Sequence, residues 1–376
     1  ALCIVGMIVS VVLLELSRRL FGLPLFIMAI LSIAYCLLGS HLPWIFAHAG
    51  FGTEQTLRTL WYSFDGVFGT PVMVVLSLIF IYIIFGVVLE GTGGTGILLK
   101  IAYSVTGAWR GGPGHAAVIA SALFGTISGS AAANAVGTGV FTIPMMRRAG
   151  FPKTIAGAIE TCSSTGGQIM PPVMGAVAFM MSNVTGIPYL TICAAALMPS
   201  LFYYGSLLCA VYVEAVRYGV PTVPRAERVR LNRGDLRPAL TFLVPLAAVV
   251  ALLGAGFSAA LAGFWATIAA VFVGLLNPDF RRRPQQLVGI LIRAGTSGGQ
   301  LMVAVAVIGI IIGTMNLTGL GLRFSALILS FSGDSLLVAL LLMMLGCLVL
   351  GMGMPTVPAY LIIVLTMGPV MAKLGV

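Results

Sequence analysis

Residues 125–146 read GTISGSAAANAVGTGVFTIPMM. Glycine, serine, alanine, asparagine and threonine occupy a stretch that a plain membrane-crossing helix would fill with leucine and valine, and Pro144 closes it. This composition suits backbone that leaves the regular helical path. Inside a bilayer such backbone is costly, because no water takes up the freed N–H and C=O groups. The rest of the chain fixes the depth. Its 376 residues are 59% hydrophobic and only 8% charged, with a mean hydropathy of +1.10. A soluble domain carries about 25% charged residues. The composition is that of an all-α polytopic membrane protein.

The net charge of +10 sits in short loops between apolar spans, which fits membrane lipid headgroups and topology signals and argues against nucleic acid as a partner. Residues 217–237 hold six arginines against two acids, and Arg281, Arg282 and Arg283 form a second cluster. The positive-inside rule puts both on the cytoplasmic side. Counting back, Arg147, Arg148, Lys153, Lys100 and Arg110 are cytoplasmic too, as are Arg18 and Arg19, while residues 39–70 fall outside. Between Arg110 and Arg147 the chain must therefore enter the membrane and return to the same face. That stretch is too short for two full spans of about 20 residues each. The opening stretch is the tip of a re-entrant hairpin.

Two blocks recur at nearly one offset. EGTGGTGILLKIAYSVTG (90–107) resembles NLTGLGLRFSALILSFSG (316–333), and ISGSAAANAV (127–136) lies on GMGMPTVPAY (351–360). The first pair is displaced by 226 residues and the second by 224, in the same order. The second hairpin lacks the basic border of the first, so the positive-inside logic has it enter from outside. This predicts inverted repeats, with a site where broken helices meet. SSTGGQIMPPVMG (163–175) is one such break, since two prolines remove backbone donors inside an apolar span. Its mate would fall beyond residue 376, and the first residues, inside an apolar span, show no initiator Met, basic n-region or cleavage site. We expect a chain truncated at both ends, for which a channel, a scaffold or a non-transporting remnant is the alternative reading.

Unwound segments at membrane depth present carbonyl oxygens to Na⁺ and half-helix N-termini to a carboxylate. Ser128, Ser130, Asn134, Thr138, Ser163, Ser164, Thr165, Gln168 and Thr356 add neutral polar groups. Glu90, Glu160 and Glu214 fall near span ends and read as interfacial, which favours Na⁺ coupling over a proton relay. Other chemistries drop out. GTGGTG (91–96) has dinucleotide-loop spacing but no strand before it, and no P-loop exists. Ser128 or Ser130 with His115 lacks the context of a strained nucleophile. Six scattered cysteines and three histidines have no metal-ligand spacing. No enzyme activity is expected.

The blocks LFGTISGSAAANAVGTGVFTIPMMRRAGF, STGGQIMPPVMGAVAFM, GIPYL (186–190), LTGLGLRFS (317–325) and GMGMPTVPAYLIIV closely resemble the fused membrane permease of tripartite ATP-independent periplasmic (TRAP) transporters, TAXI subtype, from about residue 20 onward. The resemblance implies an elevator-type secondary transporter of the bacterial or archaeal inner membrane. It implies uptake of a small organic acid such as a C4-dicarboxylate, driven by co-transported Na⁺ and fed by a periplasmic TAXI-type binding protein. It divides the chain into residues 1–70, the end of small-subunit-like spans with an external loop; 71–237, a first repeat; and 238–376, an incomplete second repeat. Within the first repeat lie an arm (90–110), a hairpin (112–150), a broken helix (155–183), a span (187–213) and a cytoplasmic loop (217–237). Within the second lie spans 238–276 and 296–317, an arm (318–334) and a hairpin (336–372). Carried over, Ser128, Gly129, Ser130, Asn134 and Gly166 hold one Na⁺, mostly through backbone carbonyls, and Gly351, Gly353 and Pro355 contribute to a second. Ser130, Asn134, Ser164, Thr165, Gln168, Pro171 and Thr356 face the substrate.

Overall fold

The computed structural model describes residues 2–43, 46–224, 228–229, 231–277, 280–281, 285–332, 335–352 and 355–373. They are nearly all helical. An isolated bridge between Arg110 and Thr222 is the sole β-type pairing among them. Five helical stretches are long and apolar enough to cross a membrane: Leu23–His41, Thr70–Gly91, Tyr189–Arg217, Leu236–Gly254 and Gln286–Thr318. The chain divides into two compact units, one of residues 1–76 with 298–376 and one of residues 77–297.

In the first unit, α1 (Leu2–Phe21) and α2 (Leu23–Leu38) pack on each other, and α3 (Thr53–Trp61) packs on both. Trp61 Nε1 donates to Ser10 Oγ at 2.7 Å, giving the indole the polar partner it needs when its body is buried. The next helix begins as α4 (Thr70–Val74) and continues through a π-turn at Val75–Ile79. α14 (Gln286–Thr318) belongs to this unit from residue 298 on. There Gly309 faces the Val67 backbone, whose Cα would lie 2.6 Å from an added Cβ. Without a hydrophobic drive in lipid, helices gain contact through such close approach of small residues. α15 (Leu320–Ser332), α16 (Leu336–Gly351) and α17 (Thr356–Lys373) share a small core of Ile328, Ala339 and Val370. The Gly351–Thr356 tip joins α16 to α17, and Gly353 lies outside the described residues.

The second unit is built around α7 (Gly112–Ser128), which is buried along most of its length. Before it come α5 (Phe80–Gly91) and α6 (Gly94–Thr106), joined at Gly93, whose φ of +93° only glycine adopts without penalty. α8 (Ala131–Arg148) and α9 (Lys153–Gly166) pack on α7, and α10 (Ala176–Thr185) and α11 (Tyr189–Arg217) follow. Ala117, Val118, Met146, Phe151, Ile159, Tyr204 and Val211 form the core between α7, α8, α9 and α11. α12 (Leu236–Gly254) and α13 (Ala259–Gly274) pack as a pair, α12 packing on α6 while α13 lays its small residues Ala262, Gly263, Ala266 and Ala270 on α5. Tyr82 Oη donates to Ala259 O at 2.9 Å across that contact.

One ion pair ties the loop before α12 to α6 within this unit. Lys100 Nζ on α6 lies 2.6 Å from Asp235 Oδ1, just before α12. The Asn232 N–H and the Lys100 ammonium hold the Asp235 carboxyl below its usual range. A carboxyl lowered on folding adds stability above its unfolded pKa, and loses it as pH falls through the folded one. The protein should therefore unfold at higher temperature than its D235N variant near neutral pH. Thermal unfolding in detergent across a pH series should show that gap closing as the solution is taken below the carboxylate range.

Candidate functional site

Why the chain turns where it does is set by four glycines. α7 ends at Gly129, which is left-handed at φ +56°, and Ser130 then opens α8 in an extended conformation. Ser130 Oγ accepts the Ala133 N–H at 3.3 Å, a side-chain cap for the new helix. Gly129 has a second reason to be glycine, because a Cβ there would sit 1.8 Å from Met174 O. α9 tightens into a 3-10 turn at Gly167–Ile169, and the chain then runs irregularly through the cis Pro171–Pro172 pair to Gly175. Gly125 and Gly167 bring α7 and this turn together so closely that a Cβ on Gly125 would lie 2.3 Å from Gly167 Cα. Val173 N donates to Thr126 O at 3.2 Å, so backbone meets backbone across the contact.

Four helix ends thus converge. The C-terminal ends of α7 and α9, whose last carbonyls have no intrahelical partner, meet the N-termini of α8 and α10, whose first N–H groups have none; Gly175 opens α10 beside Gly129, whose O would lie 3.2 Å from an added Cβ. C-terminal ends carry partial negative charge and N-terminal ends partial positive charge. Ser128 Oγ is buried at this junction and, among the described residues, finds no hydrogen-bond partner. Met174 is held at φ +57° without being glycine. Such a conformation costs on the order of 1–3 kcal/mol and persists only where surroundings enforce it.

The side chains singled out from the sequence divide by what they touch. Asn134 is fully buried; its Nδ2 donates to Ser121 O at 2.8 Å, which clamps the two arms of the hairpin together. Ser164 is buried and donates to Glu160 Oε1 at 3.3 Å. Thr165 is exposed and donates back to Thr161 O at 2.8 Å, while Gln168 O accepts the Gly175 N–H at 2.8 Å within the unwound turn. Gly166 is pressed against Tyr203, 2.4 Å from where a Cβ would be, and Pro171 is half-buried in the break. Ser128, Gly129, Ser130, Asn134, Ser164, Thr165, Gly166, Gln168 and Pro171 all belong to the second unit. Gly351, Pro355 and Thr356 belong to the first.

Two residues matter here that the sequence reading does not place in the site, Tyr189 because it is not singled out and Glu160 because it reads as interfacial. Tyr189 Oη donates within the break, 2.9 Å from Pro172 O and 2.5 Å from Val173 O, and its ring stacks on Phe179 at 4.4 Å. It supplies the donor that the broken helix lacks. Glu160 reads as interfacial in the sequence but is 2% exposed, on the α9 face that packs against α8. Thr138 Oγ1 lies 2.5 Å from Glu160 Oε1, and Thr142 Oγ1 is against Oε2. A signal for Tyr189 was available: a break frees carbonyls, and buried carbonyls require donors.

A family model for the tripartite ATP-independent periplasmic transporter DctM component matches residues 8–376. The chain belongs to the DctM family of TRAP transporters. It is thereby a multi-pass inner-membrane protein. This DctM-family chain is 30% identical to the sialic acid TRAP transporter permease protein SiaT of Haemophilus influenzae over 193 residues, covering 51% of the chain and 31% of SiaT. It is 31% identical to the C4-dicarboxylate TRAP transporter large permease protein DctM of Rhodobacter capsulatus over 47% of the chain and 44% of that protein. With the 2,3-diketo-L-gulonate TRAP transporter large permease protein YiaN of Escherichia coli it shares 22% identity over 78% of the chain and 68% of YiaN. The matched stretch thus spans less than half the length of the first two relatives.

The Gly125–Gly167 contact gives a clean comparison in this DctM-family chain. Gly125→Ala places a methyl group against backbone that has no side chain to swing away, and should destabilise the protein by about 1–3 kcal/mol. Gly157→Ala, on α9 with open space around the added carbon, should be neutral or stabilising by up to about 1 kcal/mol. Unfolding midpoints in detergent check both signs.

Proposed function

We propose that this chain forms the membrane permease of a Na⁺-coupled symporter that imports a small organic acid delivered by a periplasmic binding protein of the TAXI type. The carrying observation is the junction of four helix ends at Gly125, Gly129, Gly167 and Gly175, with the Ser128 hydroxyl buried there and unpartnered. Carbonyls from the C-terminal ends of α7 and α9 are hard oxygen donors of the kind Na⁺ prefers, and Ser128 Oγ adds one more. The N–H groups opening α8 and α10 suit the carboxylate of the substrate. Sialic acid, C4-dicarboxylates and 2,3-diketo-L-gulonate, named for the relatives, all carry carboxylates.

In this reading Ser128, Gly129, Ser130 and Gly166 hold Na⁺ largely through backbone, and the turn from Thr165 to Pro171 borders the substrate. Asn134 and Ser164 act from behind, the first by clamping the hairpin and the second through Glu160. The Gly351–Thr356 tip supplies a second Na⁺ locus in an inverted repeat. Transport proceeds by an elevator movement that carries the sites between the two faces of the membrane.

The complete permease containing this chain, reconstituted in proteoliposomes with its binding protein and a labelled carboxylate, tests the reading. Uptake should require an inward Na⁺ gradient and fall to background when K⁺ replaces Na⁺. Equal uptake in K⁺ would refute Na⁺ coupling. Equilibration without any gradient or binding protein would favour a channel.

A further inference from the structure

The Glu160 carboxyl lies between α8 and α9 with three hydroxyls on it and, among the described residues, no cationic side chain. Thr138 Oγ1 is 2.5 Å from Oε1, Thr142 Oγ1 is against Oε2, and Ser164 Oγ is 3.3 Å from Oε1. The two threonines have other claims on them. Thr138 Oγ1 is 2.8 Å from Asn134 O, and Thr142 Oγ1 is 3.0 Å from Thr138 O, each the carbonyl one helical turn back. A hydroxyl carries one proton, and an ionised carboxylate only accepts. With the carboxylate ionised, two threonine protons must serve four acceptor contacts. If the carboxyl itself carries a proton, it donates to one threonine oxygen, and that threonine keeps its own proton for the backbone carbonyl.

Charge points the same way. An ionised carboxylate buried without a cation is unfavourable enough that such groups bind a proton instead. The elements packed on Glu160 offer no compensating charge among the described residues. On α7, His115 Nδ1 pairs with Gly111 O at 3.1 Å. On α11, Tyr203 and Tyr204 donate to the carbonyls of Cys162 and Ser163 at 2.8 and 3.0 Å. Arg147 and Arg148 on α8, and Lys153 on α9, are exposed near the loop that joins those helices. Among the described residues no cation pairs with Glu160. Gly139 leaves the room, since a Cβ there would lie 3.2 Å from Glu160 Cγ.

We propose that Glu160 is a proton-binding site of the permease, carrying a proton at neutral pH that joins the return arm of the hairpin to α9. The proton comes from water and returns to it, so the carboxylate and acid forms interconvert without any co-reactant. Loss of the proton places a bare charge between α8 and α9 and loosens the hairpin. Transport then varies with pH through this residue, a consequence that rests on the transport reading above, whereas the proton site itself does not.

Infrared difference spectroscopy on the purified permease in Na⁺-free buffer tests the site without any transport assay. The wild type at neutral pH should show the carbonyl stretch of a protonated carboxylic acid in a nonaqueous setting, and E160Q should lack it. Thr142→Val should shift that band, because it removes a hydrogen-bond partner of the acid. Identical acid-carbonyl spectra for wild type and E160Q would overturn the proposal. Should E160Q fail to fold, E160D and Thr142→Val decide: a shifted band supports the site, and an unmoved band refutes it. In proteoliposomes, E160Q should flatten the pH profile of uptake while leaving the Na⁺ requirement in place. Loss of the Na⁺ requirement in the wild type would count against the transport reading and leave the infrared result standing.

Discussion

Backbone can leave the helical path at membrane depth only where other groups take over its hydrogen bonds. The second unit meets that constraint by bringing two irregular segments onto each other. The hairpin tip at Gly129 and the break from Gly167 to Gly175 share a backbone hydrogen bond from Val173 to Thr126, and they press together at Gly129 against Met174 O and at Gly125 against Gly167. Tyr189 reaches in from α11 to cover the Pro172 and Val173 carbonyls. Each irregularity is tolerated because the other, or a side chain, answers it. Both therefore form together, and neither would be stable at this depth alone.

The same arrangement leaves a particular chemistry behind. Where two helices end and two begin within one junction, carbonyls and N–H groups face the same small space, and no charged side chain is needed to make it polar. Side chains instead hold the frame. Asn134 ties the hairpin arms, Tyr203 and Tyr204 fasten α9 to α11 through its carbonyls, and the Glu160 network joins α8 to α9. A site made mainly of backbone keeps its shape through packing, which is why small residues dominate this part of the chain.

Much of this could be read from residue types. Gly129 and the Pro171–Pro172 pair are chain breaks on chemical grounds, and the helices stop there. Apolar length and the arginine clusters were enough for an all-helical membrane protein. What stayed hidden depends on tertiary contact. Nothing in the sequence pairs Gly125 with Gly167, and Tyr189 looks like the start of an ordinary span. Glu160 is the instructive case. Counted along the chain it lies close to Lys153 and the basic border of the hairpin, so an interfacial position was expected. The helix turns it instead toward Thr138 and Thr142, which lie one turn apart on α8. Helical phase against a neighbouring helix decided its burial, and distance from a charged loop did not.

The claim on which this account rests is that the junction of helix ends binds Na⁺. Amide hydrogen exchange on the purified protein reads it directly at the residues concerned. Na⁺ should slow exchange across 126–131 and 165–176 relative to K⁺ at equal ionic strength, with α12 and α13 unchanged. Equal exchange in the two salts across both segments would contradict the account.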